Sequence, residues 1–172
     1  MKVKRNFLLF CPTHPRKNIL NQIYGFILAT KENSNIFLHT NSQIRIQHPQ
    51  IKYYDWLEKK DYEELLKKID FSLQVFHTES FCYGYVESMI RGIPAICSPC
   101  VYNNFRLQLM YPLIIENPDS VIEISKIIIM LSNITENTKK YISNECKYNM
   151  KKFAEENNHK LKDLMIVHGV NF

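Results

Sequence analysis

The chain has 172 residues, enough for one domain with a substantial core, and 45% hydrophobic with 23% charged residues is ordinary for a folded globular protein. No apolar run reaches the roughly 18 to 20 residues of a membrane-spanning helix. The formal charge of +5 is spread over scattered Lys and Arg, with short clusters at Lys2-Val3-Lys4-Arg5 and Lys59-Lys60; with no recognised nucleic-acid motif it argues against a nucleic-acid partner and suits an anionic small molecule or peripheral contact with an anionic membrane.

Residues 6–11 read as a buried strand behind a charged lead-in. The apolar part is too short for a signal peptide and lacks a small-residue cleavage site. Residues 17–30 carry Ile19, Leu20, Ile23, Phe26 and Ile27 at helical spacing. Strands follow at 35–40 and 51–54, then a short helix at 61–68 with Asp61 as its cap. Residues 71–76 form a fourth strand, 84–91 a helix, 95–98 a fifth strand and 113–115 a short sixth. Residues 119–132 form a helix with Val121, Ile122, Ile124, Ile127, Ile128 and Leu131 along one side. A more polar helix covers 136–157, and an irregular tail starts at 158. Strands alternate with helices throughout, which predicts an α/β fold with a doubly wound parallel sheet and right-handed crossovers. No repeat, low-complexity tract or linker divides the chain, so residues 1–172 read as one domain with its core in 6–157. Five cysteines, an odd number without framework spacing, suggest a reducing compartment and a cytoplasmic protein.

The most informative stretch runs from His77 to Pro94. Glu79 and Glu87 stand seven residues apart, and Ser88-Met89 and Gly92-Ile93-Pro94 follow. In the strand–loop–helix–strand setting, Glu79 falls in the loop at the carboxyl end of a strand and Glu87 on the next helix. That edge of an open α/β sheet is where ligands bind. A helix starting near Gly84 aims its free backbone N–H groups into the crevice, which suits a phosphate. A carboxylate one turn inside that helix can accept hydrogen bonds from two neighbouring hydroxyls, as on a ribose. A carboxylate before the helix can do so for a second polyol.

This segment resembles the Glu-x7-Glu signature of retaining GT-B glycosyltransferases, the large family that includes sucrose synthases and bacterial mannosyltransferases. It matches the pattern at Glu79, Phe81, Glu87, Met89, Gly92 and Pro94. It departs at Ser80 and Cys82, where glycine is usual, and at Ser88, where alanine is usual. The resemblance spans roughly residues 6–157 and covers only the nucleotide-sugar-binding half of such an enzyme. It implies a Rossmann-like half-domain that binds a nucleotide-activated sugar and transfers the glycosyl group with retention. It further implies that an acceptor-binding half resides on a partner chain, is lost, or is absent from this sequence; a homo-oligomer closing its own cleft is the other arrangement. The alternative is a non-catalytic nucleotide-binding or assembly module with the same fold.

The resemblance also assigns roles. Glu87 would hold the ribose. Glu79, the catalytic candidate, would hold hydroxyls of the donor sugar. Backbone N–H groups of Phe81, Cys82, Tyr83 and Gly84 would meet the diphosphate, together with Arg16 and Lys17 after the first strand. The family's Lys at that place is followed by Gly or Asn, and Lys17-Asn18 fits; its usual Arg about five residues earlier is absent, so Arg16 substitutes. The Gly-rich turn usual after the fifth strand is replaced by Ser98-Pro99-Cys100-Val101-Tyr102-Asn103-Asn104. No Asp-x-Asp pair is present, so a metal-dependent GT-A mechanism has no support, and neither a metal nor another cofactor is expected beside the donor. His14 and His77 flank the expected crevice, where a contact to the donor and simple solvation both stand open. Trp56, after the third strand, reads equally as a base-stacking residue or a buried anchor. Cys97-x-x-Cys100 has no second pair for zinc and reads as a core cysteine followed by a loop cysteine. Asn133-Ile134-Thr135 is a glycosylation sequon without meaning in a cytosolic chain.

Overall fold

The short apolar runs become the strands of one parallel sheet in a computed structural model that describes residues 3–107 and 113–157. The irregular tail expected from residue 158 lies outside the described residues. The strands are β1 (Arg5–Leu9), β2 (Ile36–Thr40), β3 (Ile51–Tyr53), β4 (Phe71–Gln74) and β5 (Ala95–Cys97), in the spatial order β3-β2-β1-β4-β5. Every pairing is parallel. Parallel neighbours need crossovers, and helices supply most of them: α1 (Ile19–Thr30), α2 (Lys59–Leu66) and α3 (Tyr83–Ile90). Then come α4 (Pro99–Phe105), α5 (Val121–Ser132) and α6 (Glu136–Asn157). The chain runs outward from β1 to β2 and β3, then returns to lay β4 against the other side of β1. The order therefore reverses between β1 and β4, and the crevice above their carboxyl ends is the topological switch point.

Alternation along β1 sets the two layers, because successive side chains leave a strand on opposite faces. Phe7 and Leu9 join the larger core with Phe26, Leu38, Phe71, Ile124 and Ile128. Leu8 joins the smaller one with Leu65, Leu66, Ile69 and Ile93 under α2. Each such side chain contributes about 1.5 to 3 kcal/mol when fully buried. α1 and α5 pack closely because residue 25 is glycine: a Cβ there would stand 2.5 Å from Ile124 Cγ2. The first residue of β1 fastens the last helix. Arg5, 1% exposed, pairs with Glu136, stands 3.7 Å from Asp70 and donates to the Ile134 carbonyl at 2.7 Å.

Four expectations need correction. The helix predicted from residue 17 is broken at Asn18, whose φ of 51° is left-handed; Pro15–Lys17 form a separate 3-10 turn before α1. α2 starts at Lys59 with Glu58 as its N-cap, so Asp61 lies in the first turn and favours the helix dipole instead of capping it. The sixth strand is reduced to one parallel bridge from Ile114 to Cys97, with no second pair to extend it among the described residues. Finally, the segment after β5 is a helix, α4. Ser98 precedes it with extended backbone and Pro99 occupies its first turn, where a missing N–H costs nothing.

Candidate functional site

The loop after β1 is shaped by its own side chains. His14 Nδ1 accepts the Arg16 N–H at 3.2 Å and caps the 3-10 turn. Asn18 then turns the chain into α1, and its side chain donates to the Pro118 carbonyl at 2.6 Å. A left-handed φ is easy for Gly and tolerable for Asn, so Asn18 suits this turn.

Gln22 stitches this loop to the one after β4. Its amide donates to the Lys17 carbonyl at 2.8 Å and accepts the Val75 N–H at 3.0 Å. The His77 N–H reaches the Arg16 carbonyl at 2.9 Å. With the two loops held together, Lys17 Nζ pairs with Glu79 Oε2 and lies 4.1 Å from the centroid of the Phe76 ring. Their side chains are only 10% and 6% exposed. Burial pushes the Glu79 carboxyl up, but the Lys17 hydrogen bond and charge outweigh it, joined by the Ser80 N–H and the charge of Arg16. The net effect holds Glu79 below the usual carboxylate range. Arg16 itself is exposed at the rim.

α3 begins just beyond Glu79. Cys82 is its N-cap residue and makes no capping bond, since its thiol donates to Gln74 Oε1 at 3.3 Å. Phe81, Cys82, Tyr83 and Gly84 lie at this amino end of α3. Gly84 lets this end sit against the Gln74 amide, because a Cβ would stand 3.1 Å from Gln74 Oε1. Tyr83 is 66% exposed beside it, in edge contact with Phe81.

Glu87, one turn further, opens onto a cavity of about 470 Å³ lined by Phe10, Trp56, Leu57, Tyr62, Arg91 and neighbours. Tyr62 donates its hydroxyl to Glu87 Oε2 at 3.0 Å, and Arg91 stands 3.7 Å from Oε1. Asn41, Asp55 and Trp56 also line an adjoining cavity of about 300 Å³ that reaches Cys11, Pro12 and Thr13 after β1. The structure thus brings Lys17 and Glu79 into contact and sets Glu87 in the neighbouring hollow.

Trp56 is 89% exposed, so it is no buried anchor. His14 serves as a cap, and His77 lies 3.6 Å from Asp119. The five cysteines are free thiols. Burial pushes Cys11 and Cys82 up to about 12, which leaves neither as a nucleophile at neutral pH. Cys100 belongs to the first turn of α4 and not to a loop. Sequence reasoning missed Tyr62, Gln22 and Arg91. Arg91 had a signal, four residues after Glu87 on one helix. Tyr62 and Gln22 had none, because each acts on a different element.

No family model matches the sequence, and no curated protein matches it. Solved structures match the fold. The chain superposes on the N-terminal domain of trehalose-6-phosphate phosphatase from Candida albicans with a TM-score of 0.70 at 12% identity, covering 98% of this chain and 43% of that one. For an α,α-trehalose-phosphate synthase (UDP-forming) from Burkholderia xenovorans the values are 0.69, 7%, 87% and 40%. For the catalytic domain of cholesterol-α-glucosyltransferase from Helicobacter pylori they are 0.69, 14%, 88% and 99%. The chain spans about two fifths of the first two. Its fold is Rossmann-like and matches a half-domain of these solved structures, glycosyltransferases among them.

Proposed function

We propose that this chain is the nucleotide-sugar-binding half of a retaining glycosyltransferase. The observation that carries the reading is the placement of Glu87 and the Lys17–Glu79 pair on neighbouring elements at the switch point, on either side of the amino end of α3. Glu87 takes the two ribose hydroxyls in the 470 Å³ cavity, with the nucleobase against exposed Trp56. The diphosphate lies over the amino end of α3, at Phe81 to Gly84, with Arg16 and Lys17 as counter-charges. Glu79 takes hydroxyls of the sugar. The nucleoside diphosphate leaves as the glycosyl group moves to an acceptor hydroxyl. Fixed N–H groups and two cations stabilise the leaving charge with no metal required. An acceptor-binding half, on a partner chain or a second copy, completes the cleft. The superposed trehalose-phosphate synthase is named as UDP-forming, which makes UDP-sugars the first donors to test.

Thermal shift against UDP-, GDP- and ADP-sugars, followed by calorimetry, tests the reading. Glu87→Ala should weaken nucleoside diphosphate binding by about 2 to 3 kcal/mol, the loss of charge-assisted hydrogen bonds in a partly dry site. The fold should survive, since Arg91 keeps Glu63 at 3.9 Å. Unchanged affinity in a folded variant would overturn the ribose assignment.

A second reading is a binding module without turnover. One observation favours it: the same fold forms the N-terminal domain of a protein named as a phosphatase. One fold hosts many unrelated activities. A chain that binds the donor tightly but transfers nothing with any partner would support the module.

A further inference from the structure

We infer that Tyr62 is a positioning residue that fixes the Glu87 carboxylate for a vicinal diol, so that the cavity selects ribonucleotides over ligands lacking those hydroxyls. The inference rests on the ribose role proposed for Glu87 and adds the device that makes the role selective.

A carboxylate at the end of two methylenes samples many orientations on a helix surface, and ordering it costs side-chain entropy at the moment of binding. Glu87 is not left to do so. Tyr62 holds Oε2 from α2 at 3.0 Å, and Arg91, the C-cap of α3, forms an ion pair with Oε1 at 3.7 Å. The carboxylate is thus pinned from two elements before any ligand arrives. A carboxylate oxygen can accept more than one hydrogen bond, so contacts within the protein and contacts to a diol are compatible.

Tyr62 is itself fixed. Its ring stacks on Phe10, with centroids 5.5 Å apart and planes 21° apart, just beyond the end of β1. Phe10 and Tyr62 both line the same cavity as Glu87. Burial, and then the neighbouring Glu87 charge, push the phenol pKa well up, so the hydroxyl keeps the proton it donates. Arg91 is shared with Glu63 on α2, at 3.9 Å, which ties the cation to the same pair of helices. The order of control runs from the end of β1 through one aromatic ring to one carboxylate oxygen. A simple packing tyrosine would keep the ring contact and have no use for the hydroxyl.

Tyr62→Phe removes only the hydroxyl and keeps the stacking on Phe10. Calorimetry compares parent, Tyr62→Phe and Glu87→Gln with whichever of UDP, GDP and ADP binds most tightly, and with its 2′,3′-dideoxy analogue. Tyr62→Phe should lower affinity for the ribonucleotide by up to about tenfold, the cost of ordering an unheld side chain at the moment of binding, while affinity for the dideoxy analogue stays unchanged. The preference for ribose should therefore shrink in both variants. Equal loss for both ligands would mean that Tyr62 only supports the fold, and the inference would fall. A ribose preference lost in Glu87→Gln but intact in Tyr62→Phe would overturn the positioning role and leave the ribose assignment standing. A parent with no preference for ribose, or with no affinity for any of the three diphosphates, would overturn the ribose assignment and this inference together.

Discussion

Two buried side chains define the site at the scale of single residues. Lys17 and Glu79 are each other's compensation for leaving water, and removing one member strands the other. Breaking such a pair typically costs about 3 to 5 kcal/mol, whereas replacing both members by neutral groups of similar shape costs little. Lys17→Met should therefore destabilise the chain more than Lys17→Met with Glu79→Gln, which denaturant titration can measure. The pH dependence has a definite sign. Glu79 is held below its ordinary value of 4.5 in the folded chain. Its contribution is fully present above that value and is lost as pH falls through the depressed one. The parent's stability advantage over Glu79→Gln should hold at neutral pH and shrink on acidification below about 4.5, once the unfolded state takes up the proton first. An advantage that stays constant through the acid range would mean that the pair contributes nothing. Exposed Arg16 is the cleaner probe of the ligand. Arg16→Ala should lower diphosphate affinity at low salt and flatten its salt dependence, because its attraction is screened over roughly 8 to 10 Å at ordinary ionic strength. Affinity equal to the parent's at low salt would make Arg16 a mere surface charge.

At the scale of elements, close packing of α1 and α5 positions the β1 loop from behind. Gly25 makes that approach possible. Alanine at a helical glycine normally gains about 1 kcal/mol in propensity. Here its Cβ would meet Ile124 Cγ2 at 2.5 Å and the Val121 carbonyl oxygen at 3.3 Å. Overpacking of that kind costs about 1 to 3 kcal/mol. The steric clash outweighs the gain in helix propensity, so Gly25→Ala should be net destabilising, with a lower denaturation midpoint. A higher midpoint would show that the helices separate freely. α4 teaches a related lesson. The Ser98-Pro99 pair is a sound helix start, yet the Ser98 hydroxyl does not cap it. That hydroxyl donates to the Phe76 carbonyl at 2.6 Å and accepts the Phe76 N–H at 3.0 Å, locking the loop after β4 to the end of β5. The residue that opens α4 also steadies the approach to Glu79.

At the scale of the whole molecule, the proposed function makes this Rossmann-like sheet one wall of a cleft. Glycosyl transfer needs donor and acceptor held together with water excluded. The wall carries Arg16 and Tyr83 at its exposed rim, with Lys17 and Glu79 behind them. The purified chain should therefore transfer no sugar to an acceptor panel, although slow hydrolysis of the donor is compatible with the site. Robust transfer by the chain alone, with size-exclusion chromatography reporting its oligomeric state, would show that this domain is a complete enzyme.

The sequence by itself determined the layers, the parallel sheet and the place of the two glutamates. These follow from local signals: apolar runs of strand length, helical spacing in residues 19–27 and 121–131, and a strand–loop–helix order that puts Glu79 and Glu87 at one sheet edge. Lys17-Asn18 is marked only by the family resemblance, and the left-handed turn at Asn18 becomes visible only in the structure. Only the tertiary structure decided what those residues touch. That Lys17 meets Glu79, 62 residues away, depends on β4 returning beside β1. That Tyr62 holds Glu87 depends on how α2 and α3 lie against each other, and no local pattern encodes that distance. Trp56 shows the same limit, since an aromatic residue after a strand has the same sequence signature whether it is buried or, as here, open to solvent. Periodicity fixes which face of an element is apolar. Contacts between side chains far apart in the chain are set by the packing of whole elements, and the site is made of such contacts.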